Sequence, residues 1–405
     1  MTKEVSKTGA VGPVSTISIF KKSLAVCLFL TLAISIVFYN MPLLNKKTKY
    51  LRHLDKLNTK RIIAELAEYK HITPDRLANQ MATSGKFNIK APLPFLKDWK
   101  NFCWDHTYPS GRKKFLCLPN FYIVGFRKCG TTDLFYRLGL HPEVSIPWRK
   151  ETLWWTYHRF WVISIYADLF GAKTFVKGEE QRNFFVMGDA DPSIAVQNKM
   201  IRDMVLSVGD IIKYYTPNAK FIFIMRNPVD RLYSDYLYSQ LGVRSPRDFH
   251  RRVKSTIEVY TDCFKQRSIR KCLYDSEMKN IGHHNRLALH QGMYVIYVFD
   301  WLQIFGAKQV ICIRSEDFAR KSSKTYKKIL EFLELEALGD EQIASIAAMS
   351  AMNRNAATRK ASGPMENSTR EILRDFYRPF NHALAKVLKH RKWVWDDDRI
   401  LWDDE

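Results

Sequence analysis

Lys128 stands inside a turn bracketed by two glycines, in the stretch FYIVGFRKCGTTDLFYRL from Phe121 to Leu138. An apolar run, Phe121 to Val124, leads into Gly125. Gly130 is followed by Thr131, Thr132 and a helical pattern of Leu134, Phe135 and Leu138. A strand, a short glycine loop and a helix N-terminus make an anion cradle, because backbone N–H groups and the positive end of the helix dipole converge there. The nucleoside triphosphate form of such a loop, G-x-x-x-x-G-K-[ST], places its lysine after the second glycine. Here the glycine spacing is kept, Thr131 takes the lysine position, and the basic residues are Arg127 and Lys128. The residues from Arg127 to Thr132, with Cys129 among them, are those of a phosphate loop built for a different anion.

A second stretch, KFIFIMRNPVDRLYSDYLY from Lys220 to Tyr238, reads as a buried strand ending at Arg226. Asn227 suits an N-cap, Pro228 the first helical position and Asp230 the first turn. Arg226 then lies at the carboxyl end of a strand, and Ser234 one to two turns into the following helix. Alone, this is equally an ordinary strand-turn-helix with an incidental arginine. Beside the loop, the guanidinium and hydroxyl would hold a second phosphate. Acidic residues occur in RKETLWW, which carries Glu151, Trp154 and Trp155, and in GDADP, which carries Asp189 and Asp191. By residue type, Glu151 is either a general base or a surface glutamate paired with Arg149 or Lys150. The two tryptophans are either a sugar-stacking wall or core.

The elements that must position these residues follow from periodicity. Strands are predicted at Phe121–Gly125, Phe184–Gly188, Lys220–Met225 and Gln309–Ile313. Helices are predicted at Thr132–Leu140, Ile194–Tyr215, Val229–Gln240, Met293–Phe305, Ser323–Leu335 and Ser368–Leu388, with a further helical stretch near Arg61–Tyr69. Alternation of this kind specifies the α/β class, a P-loop-like parallel sheet flanked by helices. Ligands of such sheets bind beyond the carboxyl ends of the strands.

Lysine and arginine outnumber aspartate and glutamate 64 to 41, a net charge of +23 over 405 residues. That excess favours a polyanionic partner. No zinc-finger spacing or RNA-binding aromatic signature accompanies it, which disfavours nucleic acid. The apolar run Ser23–Leu44 is flanked by lysines and would span about 33 Å as a helix, enough for a hydrocarbon core of about 30 Å. It is long for a cleaved leader and no A-x-A-like site follows, so an uncleaved single-pass anchor is expected. The chain then divides into a tail (1–22), the anchor (23–44), a basic stem (45–117), the catalytic domain (118–395) and an acidic C-terminal tail (396–405). Cys263 with Cys272, and Cys103 with Cys117, read as disulfides of an oxidising compartment. Cys312, in the apolar run QVICIR, is expected to be a buried thiol. No C-x-x-C pair exists, so no metal site is expected. Asn367-Ser368-Thr369 is an N-glycosylation sequon.

Taken together, RKCGTT and RNPVDRLYS with its Arg-x₇-Ser spacing resemble the Golgi carbohydrate sulfotransferases that use 3′-phosphoadenosine 5′-phosphosulfate (PAPS). The resemblance runs from about Phe121 to Trp395. It extends through KETLWW, QGMYVIYVFDWLQIFGAKQVICIRSEDF and PMENSTREILRDFYRPFNHALAKVL. The loop cysteine, the double tryptophan and FYRPFN point within the family to the branch that sulfates the 6-hydroxyl of 4-sulfated N-acetylgalactosamine in chondroitin or dermatan sulfate. The resemblance implies that Lys128 stabilises the bridging oxygen of the donor and that Gly130, Thr131 and Thr132 hold the 5′-phosphate. It further implies that Arg226 and Ser234 bind the 3′-phosphate and that Glu151 removes the acceptor proton.

Asp189 and Asp191 lie at the same sheet edge as expected acceptor contacts. Arg359, Lys360 and Gly363 form either a late loop closing over the 3′-phosphate or a solvated basic loop. The chain departs from the family pattern at Thr152, Leu153 and Asp191, where proline, histidine and serine are usual. An anionic glycosaminoglycan acceptor, a lumenal type II topology in the Golgi membrane and no metal requirement are the remaining implications. Heparan sulfate is the rival acceptor. A P-loop kinase is disfavoured because no lysine follows Gly130, and an inactive glycosaminoglycan-binding relative because the lysine, arginine, serine and glutamate are all present.

Overall fold

The computed structural model describes residues 57–68, 95–97, 99–159, 161–170, 185–201, 204–238, 244–275, 287–352 and 361–395, together with Leu77, Asn79 and Met278. The chain divides after Lys56, and the unit that begins at Leu57 carries all that follows. The Ser23–Leu44 span, the tails at both ends, Arg359 and Lys360 lie outside the described residues. Among the described residues, no helix is long and apolar enough to cross a membrane.

The strands in chain order are β1 (Phe102–Thr107), β2 (Lys113–Leu118), β3 (Phe121–Gly125), β4 (Val144–Ser145), β5 (Val186–Ala190), β6 (Lys199–Ile201), β7 (Met204–Leu206), β8 (Lys220–Met225) and β9 (Val310–Arg314). The helices are α1 (Thr59–Ala67), α2 (Thr131–Leu138), α3 (Ile163–Asp168), α4 (Val208–Tyr215), α5 (Pro228–Tyr238), α6 (Pro246–Gln266), α7 (Ile269–Tyr274), α8 (Tyr294–Phe305), α9 (Ser315–Arg320), α10 (Ser322–Leu333), α11 (Asp340–Ala348) and α12 (Asn367–Val387).

The sheet has the order β4-β5-β3-β8-β9, and all its neighbours are parallel. β3 is buried along its whole length and β8 from Phe221 to Met225, as unbroken apolar strands covered on both faces must be. The α/β expectation is met, with the two central strands at the predicted bounds. Phe221 anchors the core, with ring centroids 5.6 Å from Tyr122, 4.9 Å from Trp301 and 4.0 Å from Phe305. Gly188 is obligatory: a Cβ there would lie 2.0 Å from Phe121 Cζ.

Three predictions change. The long helix expected over Ile194–Tyr215 is helical only from Val208, because a hairpin of β6 and β7 precedes it. Ser207 starts the helix through a reciprocal capping box with Asp210, N–H to Oγ 3.0 Å and N–H to Oδ2 3.1 Å. The strand expected at Phe184–Gly188 runs two residues later, to Ala190, which carries Asp189 to the sheet's carboxyl edge. Cys312 is only half-buried, because its strand is the sheet edge.

The basic segment after Arg244 forms two helices, α6 and α7. Arg270 is buried against Asp300 at 2.6 and 3.2 Å, while Lys265 and Arg267 pair with Asp262 and Asp275. Both expected disulfides are present. Cys103 faces Cys117 across the β1–β2 hairpin, and Cys263 in α6 joins Cys272 in α7.

Within the segment read as stem, α1 docks on α12 with Ile62 and Leu66 buried. Thr59 Oγ1 donates to the Pro379 carbonyl at 3.3 Å and Arg61 to the Phe264 carbonyl at 2.7 Å. The Glu65 carboxylate accepts from the Ile269 N–H at 2.6 Å.

Candidate active site

The carboxyl ends of β5, β3, β8 and β9 bring the chemistry-bearing residues to one edge. β3 ends at Gly125, and the loop turns through Lys128 at φ +64° and Gly130 at φ +98° into α2. Gly130 is the N-cap and provides no side-chain cap, so no cap side chain occupies the first N–H groups of α2. The positive φ is the reason for glycine at this point. Thr131 is buried and Thr132 half-buried.

The Lys128 ammonium lies 3.9 Å from the Tyr238 ring centroid. Burial lowers its pKa, Arg127 and Arg226 add to the fall, and Asp235 opposes it. Lys128 therefore sits in a field to which both guanidiniums contribute, an arrangement that an anion relieves. Asp235 is the buried counter-ion beneath them: Arg127 approaches one oxygen at 3.2 Å and the wholly buried Arg231 the other at 3.3 Å. Arg231 also donates to the Ala288 carbonyl at 2.6 Å. Cys129 is buried with Sγ 3.7 Å from the Tyr294 hydroxyl, which donates to the Arg226 carbonyl at 2.9 Å. Burial pushes the Cys129 thiol up to about 11, so at neutral pH it is a protonated packing group.

Arg226 is half-buried just beyond β8. Asn227 caps α5 by accepting from the Val229 N–H at 3.0 Å, as read from the sequence, and its own N–H is held by Glu316 at 2.7 Å. Ser234 is half-buried on α5, next to Asp235. Tyr233 donates to the Gly363 carbonyl at 2.7 Å, which brings that late glycine, at φ +78°, to the same helix.

Glu151 lies across β5. Its N–H donates to the Ala190 carbonyl at 3.1 Å, its backbone sits at φ +64°, and its carboxylate pairs with Lys150 while staying 47 % exposed. Asp189 is wholly buried. It accepts from Thr152 at 2.8 Å, Tyr166 at 2.7 Å and the Ala190 N–H at 2.7 Å. Burial raises its pKa to about 6 against these hydrogen bonds. Asp191, 1 % exposed, accepts from Thr156 at 3.0 Å and from the Ser193 N–H at 2.9 Å, and burial raises its pKa too.

Both aspartates, expected as acceptor contacts, are buried with their oxygens engaged by the segment that follows Glu151 rather than open at the sheet edge. Trp154 and Trp155 are likewise core, 2 % and 1 % exposed. Trp154 stacks on Tyr166 at 5.3 Å, and Trp155 donates to the Tyr166 hydroxyl at 3.2 Å. The exposed aromatics of this region are Trp148, Tyr157 and Trp161. Asn367 is exposed at the start of α12, whereas Thr369 of its sequon is buried with Oγ1 2.7 Å from His250 Nδ1.

Sequence reading missed Asp235, Tyr238 and Tyr294. The Arg231–Asp235 pair at i,i+4 was a usable signal, because burial of that helix face makes such a pair structural rather than solvated.

A parallel sheet whose central strand feeds an uncapped, cation-lined helix N-terminus defines a P-loop-like fold with a phosphate-type anion site. Residues 118–376 match the family model described as "Sulfotransferase domain", and the chain belongs to that family. Human carbohydrate sulfotransferase 15 is 34 % identical over 325 residues, covering 72 % of this chain and 57 % of the relative. Mouse bifunctional heparan sulfate N-deacetylase/N-sulfotransferase 4 is 25 % identical over 391 residues, 86 % of this chain and 40 % of its own length. The chain thus spans 57 % of the length of the first relative and 40 % of the second. Among solved structures, a sulfotransferase from Alicyclobacillus acidocaldarius aligns over 68 % of this chain and 98 % of its own at 24 % identity, with a TM-score of 0.43.

Proposed function

We propose that the protein transfers the sulfuryl group of PAPS to the 6-hydroxyl of 4-sulfated N-acetylgalactosamine in chondroitin or dermatan sulfate. The observation that carries this reading is the loop from Gly125 through Lys128 into a helix N-terminus with no side-chain cap, with Arg127 and Arg226 near enough to depress the Lys128 pKa and Glu151 held at the end of the adjacent strand β5. The donor supplies an activated sulfuryl group when bound. The α2 N–H groups and the Thr131 and Thr132 hydroxyls hold its 5′-phosphate. Lys128 faces the oxygen on which charge develops, a preorganised contact of the kind worth about 3–4 kcal/mol of barrier. Arg226 presents a planar fork to the 3′-phosphate, with Ser234 beside it. Glu151 accepts the acceptor hydroxyl proton, and its exposure leaves room for a sugar to reach it.

The net charge of +23 favours an acceptor that is already sulfated, with an encounter rate that falls as salt rises. A relative bearing the name carbohydrate sulfotransferase supports a sugar acceptor. The same reading places the catalytic domain in the Golgi lumen, tethered by Ser23–Leu44, with Arg359 and Lys360 closing on the 3′-phosphate and a glycan on Asn367. The test is label transfer from radioactive PAPS, with ATP as control, to a polysaccharide panel followed by disaccharide analysis. A 4,6-disulfated galactosamine product is expected. Product on glucosamine alone, or transfer from ATP, overturns the assignment.

A further inference from the structure

Asp189, Asp191 and the Ala190 carbonyl grip the segment from Glu151 to Thr156 at three points in one strand end. Thr152 Oγ1 donates to Asp189 at 2.8 Å, the Glu151 N–H to Ala190 at 3.1 Å, and Thr156 Oγ1 to Asp191 at 3.0 Å. Between these points the backbone takes two left-handed turns, Glu151 at φ +64° and Leu153 at φ +54°. Non-glycine residues in that region cost about 1–3 kcal/mol each and persist only where their surroundings over-determine them. The grip is what over-determines them. Tyr166 braces it from behind, donating to Asp189 at 2.7 Å and receiving the Trp155 indole N–H at 3.2 Å. Two of its members, Thr152 and Asp191, are positions at which the chain departs from the pattern of the family it resembles. The departures therefore belong to one device.

We propose that Thr152 and Asp189, with Thr156 and Asp191, are positioning residues that fix the Glu151 carboxylate for proton removal. This rests on Glu151 being the base. The segment cannot shift along β5 without breaking a hydrogen bond to a buried carboxylate, and such a bond is costly to leave unmade. Misplacing a catalytic group by about 1 Å can cost on the order of 10²-fold. Glu151 needs this external support because its own side chain is exposed and, among the described residues, pairs with the adjacent Lys150 alone.

The experiment compares Thr152→Val, Thr152→Ser, Glu151→Gln and the Thr152→Val/Glu151→Gln double variant in the full chain. It reads kcat, both KM values, 3′-phosphoadenosine 5′-phosphate affinity and melting temperature. Thr152→Val is expected to lower kcat about 10- to 100-fold with donor KM and nucleotide affinity unchanged, and Thr152→Ser to restore it. In the Glu151→Gln background, Thr152→Val should add less than about twofold, because its effect passes through the missing carboxylate. Multiplicative losses in the double variant, or wild-type kcat in Thr152→Val, overturn the proposal. If Glu151→Gln itself keeps full kcat while the wild type transfers sulfate, the assigned base is at fault instead. Asp189→Asn, whose single acceptor oxygen can meet either the two hydroxyls or the Ala190 N–H but not both, should fall between Thr152→Ser and Thr152→Val.

Discussion

Lys128 and Glu151 share a backbone φ of +64°, but they are held there by different means. The donor loop is supported by backbone from the sheet centre: the Phe126 N–H bonds to the Ile224 carbonyl at 2.9 Å, and Gly130 hands the chain directly to α2. The Glu151 segment has one backbone bond to β5, and the support added to it comes from side chains: two hydroxyls on buried carboxylates and two tryptophans on Tyr166. A phosphate recurs in every donor molecule and can be met with fixed N–H groups. An acceptor sugar varies, and side-chain supports can be exchanged without rebuilding the sheet.

That contrast is sharpened or broken by a ranked set of substitutions. The largest effect is expected at Glu151→Gln, a kcat loss of about 10²–10⁴-fold with unchanged affinity for 3′-phosphoadenosine 5′-phosphate by calorimetry. A parallel loss of nucleotide affinity would mean the two edges are not separable. Lys128→Ala should lose about 10²–10³-fold in kcat while near-ultraviolet circular dichroism and both disulfides are preserved; near-normal turnover would refute the donor-site reading. Arg226→Ala removes a charge-assisted contact worth about 1.5–3 kcal/mol. It should therefore weaken nucleotide binding by about 10- to 100-fold with acceptor KM intact. The smallest effect is expected at Trp148→Ala, where an exposed ring three residues before Glu151 in the chain is deleted: acceptor KM should rise a few-fold, about 1 kcal/mol for a sugar-facing aromatic contact, with donor KM unmoved. A change confined to donor KM would place that ring on the wrong side of the comparison.

The two edges also differed in how far they could be read from sequence. The donor loop is contained in the stretch from Phe121 to Leu138, so spacing alone placed Gly125, Lys128, Gly130 and the helix start. Arg226 and the Asn227 cap were equally local. On the other edge Thr152 meets Asp189 across 37 residues and Thr156 meets Asp191 across 35, distances at which residue order says nothing about contact. Asp189 and Asp191 consequently read as substrate ligands when they are buried supports. Trp154 and Trp155 show the same limit, since burial of an aromatic pair depends on Tyr166 from a later helix. The hairpin before α4 was missed for a local reason: Ser207 and Asp210 carried a capping signature that outweighed the apolar periodicity around them.

The docking of α1 on α12 has a consequence for the order of assembly. Thr59 and Pro379 are 320 residues apart in the chain, yet their contact joins almost the first and last elements of the domain. During synthesis the amino-terminal helix emerges long before its seat exists. The α1–α12 contact then waits until α12 has been made, and loop closure over so long a separation is slow. Completion of the domain is thereby made late and all at once. A chain stalled or truncated before residue 367 would leave the α12-facing side of α1 without its seat, a ready signal for chaperones.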